Sequence, residues 1–487
     1  MKRYFLIRVI RFFLSLAFFV LYTLMFLRIV SLSFLAKLQI IPAIVLLKNG
    51  VFLSIFIILF NLILVMIFGR LYCGFFCPSG FLQDLFTIGK RNFSFRKSNF
   101  LLPAIVVFIF IASLFFFPFI IGFFDPYSLY GKLLVGILKP AFYSLNNWLH
   151  FFIPSIGYLR SYTFSFWLLV YVFSFLFIFL LIRGRFFCNF ICPVGAILKF
   201  FSKMSVLRLY IDKTKCIKCM KCERVCPAQC IDSRQFYLDY SRCFLCMKCF
   251  ECPKDALKYG MPVDNQISRS GFFYHTKNIL FSVFAFSVLR NKFFPLFLNT
   301  PSRLLPSPPG SISFEHLKRN CISCLLCVSH CPSKVLKPAL SEYGIEGIFM
   351  PVMDYPKSFC IYECNTCGEV CPTGAIKSFT KEEKKNIQIG RVKLIKEKCI
   401  VYRDRTDCGA CSEVCPTKAV FMVNYEGGLF APETDTNYCV GCGACENVCP
   451  AKPDKAIYVE GHTAHQKALL REKGQKADKE GLEEFPF

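Results

Sequence analysis

Twenty-nine cysteines in 487 residues are the side chains with most chemistry to offer, and their spacing says which chemistry. Cys216, Cys219, Cys222 and Cys226 run C-x2-C-x2-C-x3-C-P. In that spacing three thiolates hold one [4Fe-4S] cluster and the fourth reaches a partner cluster. Zinc sites use two separated CxxC pairs or Cys/His mixtures, so a run of three plus one argues for iron–sulfur. A second run, Cys243, Cys246, Cys249 and Cys252, has two residues rather than three before its last cysteine. Its first three should hold a cluster with Cys226 as the exchanged fourth. The fit of Cys252 to the other cluster stays open. So does Cys230, readable as a substitute ligand or as a spare buried thiol.

Four more quartets follow: Cys321, Cys324, Cys327 and Cys331; Cys360, Cys364, Cys367 and Cys371; Cys399, Cys408, Cys411 and Cys415; Cys439, Cys442, Cys445 and Cys449. Every one ends in Cys-Pro, yet the second opens with a three-residue gap and the third with an eight-residue loop, which excludes a zinc-ribbon array. Between them lie β-rich stretches at Val392–Ile395 and Ala419–Asn424 and a GCGAC turn, the small strand-and-helix wrapping of a ferredoxin, in which bound clusters supply much of the folding free energy. Six quartets imply about six [4Fe-4S] clusters.

Four further cysteines belong to a repeat. GRLYCGFFCPSG (69–80) and GRFFCNFICPVG (184–195) agree at seven of twelve positions. A parallel repeat about an axis along the membrane normal would bring Cys73, Cys77, Cys188 and Cys192 together. Two readings stand: a redox or metal site beside a quinone pocket, or small buried packing residues. No histidine lies in an apolar stretch and no C-x-x-C-H occurs, so neither paired-histidine haem b nor c-type haem is expected.

What must position these cysteines is largely membrane. A hydrophobic content of 55% with 59 Phe exceeds that of ordinary soluble chains. Four stretches are long enough to span a bilayer, at 12–35 (interrupted by Arg28), 49–69, 98–124 and 161–182. Basic residues concentrate in the N-terminal tail, in 70–99 and in 183–215, against few in 36–50 and 122–163, which sets the first three on the cytoplasmic side. The net charge of +26 belongs to the same half: residues 311–487 carry 23 Lys/Arg and 23 Asp/Glu, leaving all 26 to residues 1–310. Lipid-surface contact and topology account for it, and no basic soluble face remains for nucleic acid.

Residues 1 to about 260, with paired CxxxCP motifs at the ends of spans two and four and then a ferredoxin run, resemble the NapH family. That family comprises membrane iron–sulfur proteins of the quinol dehydrogenase type associated with periplasmic nitrate reduction, and NosR and CcoG share its membrane core. Residues 305–460, with SPPGS before the first quartet and CPTGAI after the second, resemble NapG and MauM, four-cluster carriers typically exported to the periplasm. The whole is similar to a NapH–NapG fusion. The resemblance implies a membrane all-α domain (four helices in a two-fold parallel repeat, with a possible fifth) plus α+β ferredoxin-like domains.

The divisions expected are 1–210 membrane, 211–260 cytoplasmic two-cluster ferredoxin, 261–310 junction, 311–461 four-cluster polyferredoxin and 462–487 charged tail. In the junction, SRSGFF (268–273) resembles a twin-arginine export signal whose second arginine is serine. The uncharged run Asn278–Leu289, short for a span, suits a signal h-region or an interfacial helix. Extended to Leu298 it reaches bilayer thickness, and a crossing, the favoured reading, places the C-terminal domain in the periplasm. Clusters without an acid/base or nucleophile constellation mean electron transfer. The reading is a quinol dehydrogenase subunit of a bacterial inner membrane, drawing on the quinol pool and serving a redox partner protein. The alternatives are a cytoplasm-facing assembly or redox-maintenance factor like CcoG, or a NosR-like regulator.

Overall fold

The computed structural model describes residues 2–87, 92–97, 101–115, 118–153, 168, 170–174, 184–261 and 305–470. The chain divides into two units, Met1–Leu298 and Asn299–Phe487. The junction motif at 268–273, the run Asn278–Leu289 and nearly all of the fourth expected span lie outside the described residues.

In the first unit, Leu6–Phe26 is the one helix among the described residues long and apolar enough to cross a membrane, with mean hydropathy 2.1. It begins and ends earlier than expected from hydropathy, running Lys2–Phe26 rather than 12–35. Arg28 adopts a left-handed φ of 64°, so it ends the helix instead of being carried inside it. The second stretch is the apolar helix Leu53–Phe68, shorter than a full span, and the third contains the helical segments Leu101–Phe115 and Pro118–Phe124. Two segments expected as connections are helical. Ile40–Lys48 buries Ile40, Ile41, Ala43 and Val45, and Pro126–Leu133 buries almost every residue despite its polar sequence.

That second helix is tolerated inside because Ser128, Tyr130 and Lys132 find hydrogen-bond partners there. Asp125 is its N-cap, accepting from the backbone N–H and the hydroxyl of Ser128 at 2.8 and 2.6 Å. Thr23 and Tyr130 hydroxyls meet at 2.6 Å, and Lys132 Nζ donates to the Gly122 carbonyl at 2.5 Å.

The ferredoxin stretch of this unit is two antiparallel pairs, Arg208–Ile211 with Leu257–Gly260 and Ile231–Asp232 with Tyr237–Leu238. Tyr240 and Tyr259 hydroxyls donate to the Phe68 carbonyl at the end of Leu53–Phe68, at 2.6 and 3.2 Å.

The second unit repeats the plan with three pairs among its described residues, two of them longer. Ile387–Leu394 pairs with Ile457–Lys467, Val420–Asn424 with Phe430–Thr434, and Leu336–Pro338 with Pro351–Met353, all antiparallel. Val392, Val401, Val420, Ala431 and Ile457 form the core around which cysteines are set. The strand Ile457–Lys467 runs past 461, where a charged tail was expected to begin. Gln466 and Lys467 still pair with Gln388 and Ile387 after a register shift, and His462 Nε2 meets Gln388 Oε1 at 3.0 Å.

Candidate iron–sulfur and thiol sites

The cysteine runs fold into loops that alternate in handedness. In the regular runs the residues just before and after the middle cysteine all have positive φ: Lys218 and Met220, Leu245 and Met247, Ser323 and Leu325, Gly441 and Gly443, between 52° and 77°. Six of these eight pay the usual cost of a left-handed L-residue. The return is a concave row of backbone N–H groups of the kind that cradles anions. Ser323 and Gly441 N–H donate to Cys321 and Cys439 Sγ, each at 3.4 Å.

These loops bring cysteines together across runs rather than within them. A small cavity is lined by Cys243, Cys246 and Cys249 together with Cys226 of the preceding run. A second is lined by Cys399, Cys408 and Cys411 together with Cys449 from forty residues on. Cys222 feels the charges of Cys252, Cys216 and Cys219, so Cys252 reaches the first loop in spite of its short gap. Cys327 lies in the field of Cys324, Cys321 and Cys371 and, less strongly, of Cys367, which itself lies in that of Cys360, Cys331 and Cys364. Cys445 completes the set with Cys442, Cys439 and Cys415, and less strongly with Cys411.

The six quartets of the sequence are thus re-sorted into three pairs of groups, each pair exchanging its Cys-Pro cysteine. Among the described residues no three or more His, Cys, Asp or Glu side chains close around a single metal ion. Two of the groups instead line apolar cavities, which fits a multi-iron group. Burial pushes the Cys222 and Cys411 thiols up to about 12, with neighbouring cysteines adding to the effect. Metal binding at such thiols must therefore release protons.

The CxxxCP motifs meet as the repeat suggests. Cys77 and Cys192 are each the N-cap of a helix with proline at its first position, Pro78–Phe86 and Pro193–Ser202. Each closes the preceding turn with an i→i−5 bond, Cys77 N–H to Tyr72 O at 3.2 Å and Cys192 N–H to Phe187 O at 2.8 Å. The glycine three residues on is obligatory in both, because a Cβ on Gly80 would lie 2.4 Å from the Cys73 carbonyl and one on Gly195 1.9 Å from the Cys188 carbonyl.

All four thiols are buried, and burial pushes Cys77 and Cys192 up, with Cys188 and Cys73 adding to it in both. What spacing alone did not reveal is that the arginines cross over. Arg70 of the first motif donates to the Cys188 carbonyl at 2.8 Å, and Arg185 of the second to the Cys73 carbonyl, also at 2.8 Å. The signal was present in the two aligned Gly-Arg pairs. Arg70 further donates to Asn189 Oδ1 at 2.6 Å, and Gln83 Nε2 to Cys188 Sγ at 3.2 Å.

Asp84 takes Arg185 at 2.6 Å and Arg11 as ion pairs. Burial pushes its carboxyl up, but the two guanidiniums outweigh that and hold it below its ordinary value. Burial pushes the Cys188 thiol up to about 11 against the pull of Arg185 and Arg70, so Cys77, Cys188 and Cys192 rest as thiols. The roof is Phe244 of the Cys243 loop. Its ring lies 3.6 Å under the Arg185 guanidinium, and its carbonyl sits where a Cβ on Gly74 would be at 2.3 Å.

Comparison with known proteins agrees with this arrangement. A family described as a 4Fe-4S binding domain matches twice, at 49–96 and 164–211, and a second of that description matches 209–231. A 4Fe-4S dicluster domain family matches 359–419 and 404–452. NADH-quinone oxidoreductase subunit I 2 of Geobacter metallireducens is 35% identical over 111 residues, 22% of this chain and 84% of that protein. The chain belongs to the ferredoxin-type 4Fe-4S proteins.

Among the proteins it is similar to are ferredoxin-type proteins named NapH and MauM. The ferredoxin-type protein NapH of Haemophilus influenzae is 28% identical over 167 residues, 32% of this chain and 47% of that protein. The methylamine utilization ferredoxin-type protein MauM of Methylobacillus flagellatus is 28% identical over 124 residues, 25% of this chain and 50% of that one. The ferredoxin-type chain thus spans about half the length of these two relatives. No solved structure matches it.

Proposed function

We propose that this chain is a quinol-dehydrogenase-type carrier of a bacterial cytoplasmic membrane. It takes electrons from quinol beside Cys73, Cys77, Cys188 and Cys192 and delivers them to a partner reductase, with periplasmic nitrate reduction the system its NapH likeness favours. The observation that carries this reading is that four buried thiols come together from two repeats, and that Phe244, inside the loop of a cluster site, packs on Arg185 and beside Gly74 of the same repeats.

Six groups would each hold a [4Fe-4S] cluster: Cys216, Cys219, Cys222 and Cys252; Cys226, Cys243, Cys246 and Cys249; Cys321, Cys324, Cys327 and Cys371; Cys331, Cys360, Cys364 and Cys367; Cys399, Cys408, Cys411 and Cys449; Cys415, Cys439, Cys442 and Cys445. Such clusters supply one-electron carriage when bound. The residues around them have separate tasks. The left-handed loop residues aim N–H groups at sulfur, Arg70 and Arg185 lock the two repeats together, and Phe244 and its apolar neighbours exclude water. Phe13, Phe56 and Phe60 turn large apolar faces outward, which suits a four-helix membrane domain in hydrocarbon. The C-terminal four-cluster domain lies on the periplasmic side, across the junction.

A Cys73→Ala/Cys188→Ala protein should lose quinol oxidation measured with membrane vesicles and an artificial acceptor. Unchanged iron content together with unchanged quinol oxidation would overturn the reading. Redox titration followed by electron paramagnetic resonance should resolve about six clusters. A phosphatase fused to the C-terminus should be active, and a cytoplasmic C-terminus removes the periplasmic delivery.

A further inference from the structure

Cys230 belongs to none of the six groups, yet it lines the same cavity as Cys226, Cys243, Cys246 and Cys249. Its Sγ lies 3.6 Å from Cys226 Sγ, it is also in hydrogen-bonding contact with Cys243, and it is 1% exposed. Its backbone is fixed: the Cys230 carbonyl accepts from Asp239 N–H at 2.8 Å, and the next residue, Ile231, pairs with Leu238.

The molecule supplies its own comparison for this position. After five of the six Cys-Pro cysteines the third residue has positive φ: Gln229, Asp255, Lys334, Gly374 and Lys418, from 46° to 69°. The residue that follows each is buried to 2% or less: Cys230, Ala256, Val335, Ala375 and Ala419. After Cys449 an insertion containing Pro453 delays the same step to Ala456, which lines the Cys399 cavity as Cys230 lines its own. A small apolar side chain thus suffices at this place five times. Only the site under the membrane thiols has a fifth sulfur there.

We propose that Cys230 is a reserve ligand, and that this inner site holds its cluster through either Cys226 or Cys230. The proposal rests on the cluster reading given above. In the exchange the Cys230 S–H gives up its proton as its sulfur bonds iron, the iron bond to Cys226 breaks, and Cys226 takes up a proton. No electron is gained or lost. The short spacer Pro227–Gln229 and the 3.6 Å sulfur separation let the swap occur without moving Cys243, Cys246 or Cys249.

The test uses the full-length protein, purified with its iron, and compares Cys226→Ala, Cys226→Ala/Cys230→Ala and Cys243→Ala. Cys226→Ala should keep the wild-type iron content with a changed electron paramagnetic resonance spectrum. The double variant and Cys243→Ala should each lose one cluster, about four iron atoms per chain. If Cys226→Ala loses as much iron as Cys243→Ala, or cannot be isolated when Cys243→Ala can, the proposal is wrong. Cys230→Ala places at 230 the residue found at four equivalent positions and should fold. It should reduce two overlapping inner-cluster signals of the wild type to one, and an identical single signal in both proteins also overturns the idea. Wild-type protein lacking an inner cluster altogether would instead refute the cluster reading on which this rests.

Discussion

Replacing Asp84 by asparagine tests the buried centre of the first unit most directly. Asp84 is the one carboxylate between Arg185, whose side chain is fully buried, and Arg11, whose side chain is 6% exposed. At an effective dielectric of about 20, two unit charges about 4 Å apart attract by about 4 kcal/mol, so two partners set a ceiling near 8 kcal/mol. The asparagine oxygen still accepts from Arg185, whose Nε donates to Asp84 Oδ1 at 3.0 Å. Measured losses on breaking buried pairs are about 3–5 kcal/mol, and that is the expected cost. Over a unit of this size it corresponds to a fall in Tm of roughly 6–20 °C.

Thermal unfolding of detergent-purified protein reads the shift. Maleimide labelling of Cys73 provides a second readout, because Arg185 also holds the Cys73 carbonyl. Adding Arg11→Met to Asp84→Asn should restore part of the loss by removing one orphaned charge. A Tm within about 2 °C of wild type, with Cys73 still unreactive, would refute the argument that this carboxylate offsets two buried cations.

Gly195→Ala should cost about 1–3 kcal/mol in the same melts, because its Cβ would lie 1.9 Å from the Cys188 carbonyl and 2.9 Å from Arg70 Nη2. Gly260→Ala meets nothing within 4 Å and should be near neutral. Cys252→Ala should abolish the paramagnetic signal of the cluster with Cys216, Cys219 and Cys222; loss of the cluster with Cys249, its neighbour in sequence, would mean the exchange is wrong. Burial, with a smaller effect of His462, pushes His465 down to about 4. Its unfolded value is about 6.5, so its contribution is whole above that pH and is lost on acidification toward 4, by up to about 3 kcal/mol. Denaturant midpoints at pH 7 and pH 5 should differ less in His465→Gln than in wild type, and equal differences would count against it.

Local spacing made the cysteine groups, the repeat and the strands near 392 and 420 legible, because each depends on residues a few positions apart. The partner of each Cys-Pro cysteine was legible only where the ferredoxin rule applied outright. Cys449 joins Cys399 through strands forty to sixty residues apart, and no local pattern encodes that distance. Hydropathy also missed the helix Pro126–Leu133, since DPYSLYGK reads as exposed. It is buried because Asp125, Thr23 and the Gly122 carbonyl take up Ser128, Tyr130 and Lys132. Arg28 was visible as an interruption, but whether a cation snorkels or ends a helix is decided by its φ, which sequence does not display.

The crossed arginines make residues 69–86 and 184–202 a socket of approximate two-fold symmetry, and such a socket offers a ferredoxin lobe two orientations half a turn apart. The motif alignment shows how one is rejected. Gly74, which makes room for the Phe244 carbonyl, is matched by Asn189, and Asp84, which pairs with Arg11, is matched by Lys199. Turned about, the lobe would drive a carbonyl into the Asn189 side chain. The repeat supplies the symmetry of the thiol site, and the unmatched Gly74 admits the Phe244 loop in one of the two orientations.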